Sequence, residues 1–520
     1  MNDEIHLTNR KKKGILRILF SRTGVIILLL LLAFLIIFML LGFFSEIISY
    51  TLAGALIFNL AVIIALFNSD MDSSAKMTWI LLISITSVFG GIFYLYTRIN
   101  AGHRVVGARY HNLAQEHRDE IHQDADTLER LQAQSPETAE LVTYLNRNTT
   151  FPISDKNRVT YYPIGEDKWA AMLEELKKAE HFIFLEYFIV EEGTMWGKIL
   201  YILAEKVKQG VDVRVMYDGT CAISMLPYNY PEMLQKLGIK AKMFSPLRPF
   251  SSTHYNNRDH RKILVIDGKV AFNGGINLGD EYINHIERFG HWKDTAVKIE
   301  GDAVKNLTLM FLNMWNFQEE NPDYQTYLTV EPEHFPDQKG FVMPYGFNPY
   351  EKDRIGEKVY MDILNRANRY VHIMTPYLIL DDQLATALKY SAERGVDTKL
   401  ILPGIPDKKA VYALAKSYFR TLLESGVEIY LYTPGFVHAK MFVSDDIKAV
   451  VGTINLDYRS LYHHFECGTY LYDTPCISEI KKDFEKTLRE CTRVTEESLK
   501  AEKFGVKLQG GILRLVATLL

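Results

Sequence analysis

The chain carries two copies of one polar constellation. The first reads His260-Arg-Lys262-Ile-Leu-Val-Ile-Asp267 and runs on to Gly274-Gly275-Ile-Asn277. The second reads His438-Ala-Lys440-Met-Phe-Val-Ser-Asp445 and runs on to Gly452-Thr453-Ile-Asn455. Histidine, lysine, aspartate, glycine and asparagine keep the same offsets in both. One such motif is a weak signal, because short patterns recur by chance. Two copies with matching downstream offsets are a strong one. The residue types suit displacement at a phosphodiester, whose negative charge repels anionic nucleophiles. Two lysines, Lys262 and Lys440, can neutralise the non-bridging oxygens and the charge of the transition state. A neutral imidazole is a nucleophile near pH 7. One histidine can attack phosphorus to form a covalent phosphohistidine, while the other protonates the leaving alcohol and then deprotonates the incoming one.

The catalytic candidates are therefore His260, Lys262, Asp267, His438, Lys440 and Asp445. Each histidine also needs a partner at one ring nitrogen to set the tautomer at the other. Asp294 in GHWKDTAV and Glu466 in HHFECGTY lie at equivalent places downstream and are the candidates. Asn277 and Asn455 are candidates for binding substrate or supporting the site. The small residues before them are expected to let the backbone approach a ligand. No carboxylate cluster with metal spacing is evident, so neither a metal nor a cofactor is expected. The motifs are nearly symmetric, and the sequence does not separate the roles of the two histidines.

These residues must be held by strands. His260, Lys262 and Leu264 alternate, so they share a strand face, and the apolar residues after them continue into a core. Asp267 and Asp445 fall where those strands end, Asp267 in an Asp-Gly-Lys turn. Upstream, residues 181–190 (HFIFLEYFIV) form an apolar β-rich run, followed by a helical stretch, Gly210 and a second strand at 211–217. The same order returns at 370–380 (YVHIMTPYLIL), a helix to Gly395 and a strand at 396–402. The phrases AEKVKQGVDVRVMYDG and SAERGVDTKLILPG align. The period is too long for a solenoid, and a duplicated α/β domain accounts for it.

Length and composition set the frame. A chain of 520 residues exceeds one ordinary domain. Apolar residues make up 48% and charged residues 23%, which are globular values that hide a split. Residues 25–44, 51–67 and 77–96 are apolar runs with almost no charge, and the first is long enough to span a bilayer. Arg10, Lys11, Lys12, Lys13, Arg17 and Arg22 place the N-terminus on the cytosolic side, whereas Arg98, Arg104 and Arg109 pull the other way. The sequence thus leaves open which side holds the rest, and whether two or three segments span. A net charge of −4 argues against a nucleic-acid partner. Cys221, Cys467, Cys476 and Cys491 have no metal or disulfide spacing. The expected organisation is a basic leader at 1–24, a transmembrane region at 25–98 and a connecting helical segment at 99–160. Two α/β halves follow at 161–320 and 354–500, joined by a connection at 321–353. An apolar tail at 501–520 either lies on a bilayer surface or packs on the core.

At these motifs the chain resembles the phospholipase D superfamily, and within it the bacterial cardiolipin synthases. DHRKILVIDGKVAFNGGINLGDEY and ERFGHWKDTAVKIEGDAV resemble the first half of that family. SYFRTLLESGVEIYLYTPGFVHAKMFVSD and VGTINLDYRSLYHHFE resemble the second. The resemblance implies two α/β/α halves about a pseudo-twofold axis with one active site between them, preceded by N-terminal transmembrane helices. It implies phosphatidyl transfer between two phosphatidylglycerol molecules, giving cardiolipin and glycerol, in a multi-pass protein of the cell membrane. It implies His260 as nucleophile and His438 as acid and base. Phosphatidylglycerol, other membrane phospholipids and the bilayer are the implied partners, with no oligomeric state indicated. Family members commonly show two apolar spans, where this chain has three candidates. The competing readings are a hydrolytic phospholipase D, another phosphatidyltransferase with a nucleotide-linked donor, a nuclease, and a non-catalytic membrane scaffold.

Overall fold

A computed structural model describes residues 3–8, 48–86, 88–98, 101–117, 120–246, 257–351 and 353–519. The chain divides into two compact units. The larger holds the described residues of 1–8, 107–246 and 256–514, and the smaller holds those of 9–106 and 515–520. The apolar run at 25–44 and most of the basic leader lie outside the described residues.

The larger unit is built on two sheets. In chain order the strands of its first half are β1 Asn157–Tyr162, β2 Phe182–Tyr187, β3 Asp212–Asp218, β4 Lys240–Phe244, β5 Arg258–Asp259, β6 Lys262–Ile266, β7 Val270–Gly274, β8 His291–Lys293 and β9 Ala296–Gly301. Those of its second half are β10 Phe341–Phe347, β11 Tyr370–Met374, β12 Asp397–Pro403, β13 Glu428–Tyr432, β14 Gly435–Val437, β15 Met441–Ser444, β16 Lys448–Gly452, β17 His464–Tyr472 and β18 Cys491–Arg493. One sheet has the order β1-β9-β7-β6-β2-β3-β4, and the other β10-β17-β16-β15-β11-β12-β13-β18. Position by position, apart from β18 at the far edge, the second order repeats the first. In each sheet three parallel strands are followed across the sheet by an antiparallel set that begins with the motif strand, β6 or β15.

The sequence pattern explains this build. β2 and β11 are buried at every position. A strand covered on both faces reads as a continuous apolar run, not as an alternation. Parallel strands need a crossover, supplied by helices Thr194–Lys208 and Asp382–Glu393. Helix Val304–Trp315 is buried on all sides except at Lys305 and packs against β2, β6 and β10, strands from both sheets. Phe311 on this helix stacks on Phe184 of β2 with ring centroids 4.4 Å apart.

Two segments read above as connections are more structured than expected. Residues 101–149 hold helices Ala101–Glu116, Ala125–Gln134 and Pro136–Thr149. The last buries Leu141, Val142 and Leu145, so it is not a solvated rod. Residues 341–347 form β10, a fully buried strand at one edge of its sheet. Pro344 is compatible with this place, because proline is excluded from central strands but tolerated at an edge.

In the smaller unit, the described part of the apolar region forms helices Ile48–Phe67, Ser73–Thr86 and Val88–Arg98. Among the described residues no helix is long and apolar enough to cross a membrane. The expectation of transmembrane helices is corrected to that extent. The run at 77–96 falls on helices of 14 and 11 residues, about 21 and 17 Å long against a hydrocarbon core of about 30 Å. Trp79 packs edge-on against Tyr94, and Leu56, Ile57, Leu60, Ile64 and Phe67 are exposed. In the same unit the chain end is tied down by Thr78, which donates to the Leu515 carbonyl at 2.9 Å. In the larger unit, helix Phe504–Arg514 packs on helix Lys409–Glu424. Phe504, Leu508 and Ile512, four residues apart, are exposed.

Candidate active site

Each motif histidine is delivered by a segment that has crossed to the other half. β5, just before His260, pairs in parallel with the start of β17, Arg258 opposite His464 and Asp259 opposite Phe465. β14, just before His438, pairs in parallel with β8, Phe436 opposite Trp292. The crossing continues at the histidines themselves. The His260 amide donates to the Phe465 carbonyl at 3.0 Å, and the His438 amide to the Lys293 carbonyl at 2.7 Å. Only after this does the chain turn into its own sheet as β6 or β15.

The side chains cross in the same way. His260 Nδ1 lies 2.9 and 3.0 Å from the two carboxylate oxygens of Glu466. His438 Nδ1 lies 2.6 Å from Asp294 Oδ2. Each histidine is therefore paired with an acid from the other half. An Nδ1–H donated to a carboxylate leaves Nε2 with its lone pair directed away, ready for a substrate. The two candidate acids are both brought to the histidines, and one site is assembled from both halves.

Gly275 and Thr453, each two residues before an asparagine of the motif, serve these acids. A Cβ on Gly275 would sit 2.1 Å from Asp294 Oδ1, so glycine makes room for the carboxylate. At the equivalent position Thr453 donates its hydroxyl to Glu466 Oε2. Ser460 donates to Oε1 at 2.6 Å.

The lysines converge on the same space. Lys262 and Lys440 are almost wholly buried, and each ammonium donates to the carbonyl of its own motif histidine. The Lys440 ammonium also lies 2.9 Å from His438 Nδ1. Burial lowers Lys262 to about 8 and Lys440 to about 7, although carboxylates of both halves oppose the shift. Burial drives the His260 imidazole well below its ordinary value against the pull of Glu466. Burial and the Lys440 charge lower His438 to about 4, with Asp294 opposing. Burial pushes Glu466 up, but the His260 and His464 rings outweigh it and hold the carboxyl well below its usual range. In the free site both motif imidazoles are thus held neutral, and Glu466 is held ionised.

The motif aspartates are not at the site, which corrects their listing among catalytic candidates. Asp267 accepts from the amides of Glu180, His181 and Phe182 at 2.7–2.8 Å. Asp445 accepts from those of Asn368, Arg369 and Tyr370 at 2.8–2.9 Å. Both sit at the far end of the motif strand, with φ of 52° and 55°, and pin the start of the neighbouring antiparallel strand, β2 or β11. Asn277 supports the site from behind, accepting from the Ile189 amide at 3.0 Å and donating to the Tyr282 hydroxyl at 2.8 Å. Asn455 Oδ1 is buried with no hydrogen-bond partner.

Several residues escaped the sequence reading. Trp292, Tyr282 and Phe436 surround His438 with ring centroids 5.4, 5.4 and 5.9 Å away. His464 lies 5.4 Å from His260, and Phe188 4.8 Å. Trp292 and His464 each precede an orienting acid by two residues, a matched offset that was available as a signal. Buried Lys168 donates to the Tyr187 hydroxyl at 3.2 Å, and burial lowers it to about 7. Its signal was the four-residue spacing with Met172 and Leu176 on one helix face. His260, His464 and Glu466 also place possible metal-ligand atoms within 4.8 Å of one another, a grouping the sequence reading did not expect. Glu466 there already accepts from His260, Thr453 and Ser460. A cavity of about 500 Å³ lined in part by Arg214, Lys240 and Lys242 holds none of these residues. Its cations are already paired with Asp212 and Glu319.

Comparison with known proteins bears on this geometry. Residues 172–315 and 360–488 match the family described as cardiolipin synthase, PLD-like domain. The chain belongs to the cardiolipin synthase family. It is thereby an enzyme of the phosphatidyltransferase kind, and the two matched segments carry the two crossed pairs. The chain is 33% identical over 496 residues to a cardiolipin synthase of Geobacillus kaustophilus, covering 92% of this chain and 94% of that one. It is 32% identical over 460 residues to cardiolipin synthase 2 of Bacillus anthracis, 88% of each chain. An uncharacterised protein of Streptococcus mutans is 54% identical over 458 residues, 88% of this chain and 99% of that one. In fold, the chain is similar to phosphatidylserine synthase of Haemophilus influenzae, with a TM-score of 0.57 and 14% identity, over 74% of this chain and all of that one.

Proposed function

We propose that this cardiolipin synthase family member transfers a phosphatidyl group from one phosphatidylglycerol to the headgroup hydroxyl of another, giving cardiolipin and glycerol. The observation that carries this reading is the crossed pairing of His260 with Glu466 and His438 with Asp294, with both lysines buried beside them. Nε2 of His260 attacks phosphorus and the bond to the glycerol oxygen breaks. That oxygen takes the proton from Nε2 of His438. The anionic phosphodiester raises both lysines and His438 on binding, since an adjacent opposite charge favours the protonated form. Lys262 and Lys440 then hold the charge of the transition state. In the second step His438 takes the proton of the acceptor hydroxyl, its oxygen attacks the phosphohistidine, and the bond to His260 breaks.

We further propose that the protein works at a membrane, where both substrates reside. The exposed Leu56, Ile57, Leu60, Ile64 and Phe67 of the smaller unit support this, as do Phe504, Leu508 and Ile512 on a helix that also carries Lys507 and Arg514. Apolar residues along one helix face with basic neighbours suit an interfacial position. Two measurements test the proposal. On pure phosphatidylglycerol vesicles the full chain is expected to form cardiolipin and glycerol in equal amounts. Phosphatidic acid as the sole lipid product would make the protein a hydrolase. On cell fractionation it is expected in the membrane pellet, and recovery from the soluble fraction without detergent would overturn the membrane assignment.

A further inference from the structure

The two halves of the site bury their polar atoms differently. In the first half Asn277 has both side-chain polar atoms bonded to the protein, and the position two before the acid is Trp292, whose Nε1 is buried without a hydrogen bond but can only donate. In the second half Asn455 Oδ1 has no partner, and the equivalent position is His464. His464 is 7% exposed, and neither ring nitrogen has a hydrogen-bond partner. Its Nδ1 lies 3.6 Å from Glu466 Oε1, beyond hydrogen-bond reach, and that oxygen is already taken by His260 and Ser460. Buried polar atoms left unpaired are costly, so a native structure keeps them where something else completes them. The His464 ring stands 5.4 Å from that of His260 and 6.5 Å from that of Phe188. Asn455 belongs to the same cluster, because its backbone N–H donates to Ser460 Oγ at 3.1 Å and Ser460 in turn donates to Glu466.

We propose that His464, with Asn455, forms a binding subsite for a hydroxyl-bearing headgroup beside His260. The chemistry fits that class of ligand. A hydroxyl both donates and accepts, and the subsite offers an amide oxygen that only accepts and an imidazole with two ring nitrogens. Water can fill the same space, but a polyol makes these bonds while its oxygen is held for transfer. The subsite therefore raises the share of the phosphohistidine that goes to an alcohol. Trp292 offers no acceptor at the matching place beside His438, so the two sides of the site are unequal by construction. This inference rests on the transferase reading above.

The test is the partition between alcohol and water. The full-length protein and its His464→Phe and His464→Asn variants are given phosphatidylglycerol vesicles, and cardiolipin and phosphatidic acid are measured together. The ratio does not depend on how much of a variant is folded. His464→Phe is expected to lower the cardiolipin-to-phosphatidic-acid ratio about tenfold, in line with loss of a buried hydrogen bond to substrate. His464→Asn, which keeps a donor and an acceptor, is expected to restore most of it. Added glycerol, followed by its entry into lipid, is expected to show a raised KM in the phenylalanine variant. A role confined to packing would lower both products together and leave the ratio unchanged, and that result would overturn the proposal. If the unaltered protein forms phosphatidic acid alone, the transferase reading itself fails, an outcome distinct from an unchanged ratio in an active transferase.

Discussion

The two halves of the larger unit share strand order and motif offsets but support their acids by different means. Asp294 of the first half fits because Gly275 has no side chain, and its second oxygen accepts from the Thr295 amide at 2.8 Å. Glu466 of the second half is one methylene longer and is gripped by the hydroxyls of Thr453 and Ser460. The histidine served by Asp294 sits among aromatic rings, and the one served by Glu466 sits beside a second imidazole. Duplication supplies the frame, and substitution at matched positions makes the two histidines chemically distinct. Two imidazoles with identical surroundings would have no reason to take different roles, one as nucleophile and one as proton carrier.

The comparison can be broken at several points. The largest effect is expected from the acids. Glu466→Gln or Asp294→Asn should each lower kcat by about 10²- to 10⁴-fold, since loss of the orienting carboxylate spoils tautomer and geometry together. A steady-state assay that finds one acid dispensable would mean the crossed pairs are not equivalent in function. Gly275→Ala should cost about a hundredfold by displacing the Asp294 carboxylate. The first half has no slack there, whereas Thr453→Val in the second half should cost only about three- to tenfold, as one of several donors to Glu466 is lost. Near-equal losses at the two positions would contradict the account of how each acid is held.

The pH dependence sharpens the same contrast. Lys440 and Lys262, lowered by burial to about 7 and 8, lose their charge as pH rises through those values. kcat/KM is therefore expected to fall above about pH 7, where Lys440 first loses its charge, and more steeply above about pH 8, because it reports the free enzyme. The limb in kcat should lie higher, since bound phosphodiester restores the lysine pKa values. A flat alkaline limb in kcat/KM would mean that neither lysine carries charge for the reaction. The smallest catalytic effect is expected at the motif aspartates. Asp267→Asn should lower stability by about 1–3 kcal/mol through weakened bonds to three amides at the start of β2, one of them buried, and leave kcat of the folded fraction within about threefold. Thermal unfolding measured beside single-turnover rates separates the two.

Much of this was legible in the residues. The paired motifs, their phosphodiester chemistry, the duplicated α/β build and both acids at positions 294 and 466 could be read from types and offsets. The crossing could not, because β5, β8 and β14 are two or three residues long and their pairing is a tertiary fact that leaves no period in the sequence. The motif aspartates misled because identical offsets signal a shared role without saying whether that role is chemical or architectural. His464 was hidden because a lone histidine beside another reads as a packed residue, and its place beside His260 with no hydrogen bond at either ring nitrogen is a tertiary fact. The run at 77–96 was expected to span on its apolar composition, which does not reveal that the chain breaks it into helices of 14 and 11 residues.

Each motif histidine is oriented by the acid of the other half. The most direct measurement is the hydrogen-bonded Nδ1 proton of each histidine, observed by NMR in protein labelled with nitrogen-15 histidine. In Glu466→Gln the downfield Nδ1 resonance of His260 should be lost while that of His438 remains. In Asp294→Asn the His438 resonance should go and that of His260 stay. Loss in the opposite pattern, with each substitution affecting the histidine of its own half, would contradict the crossed pairing.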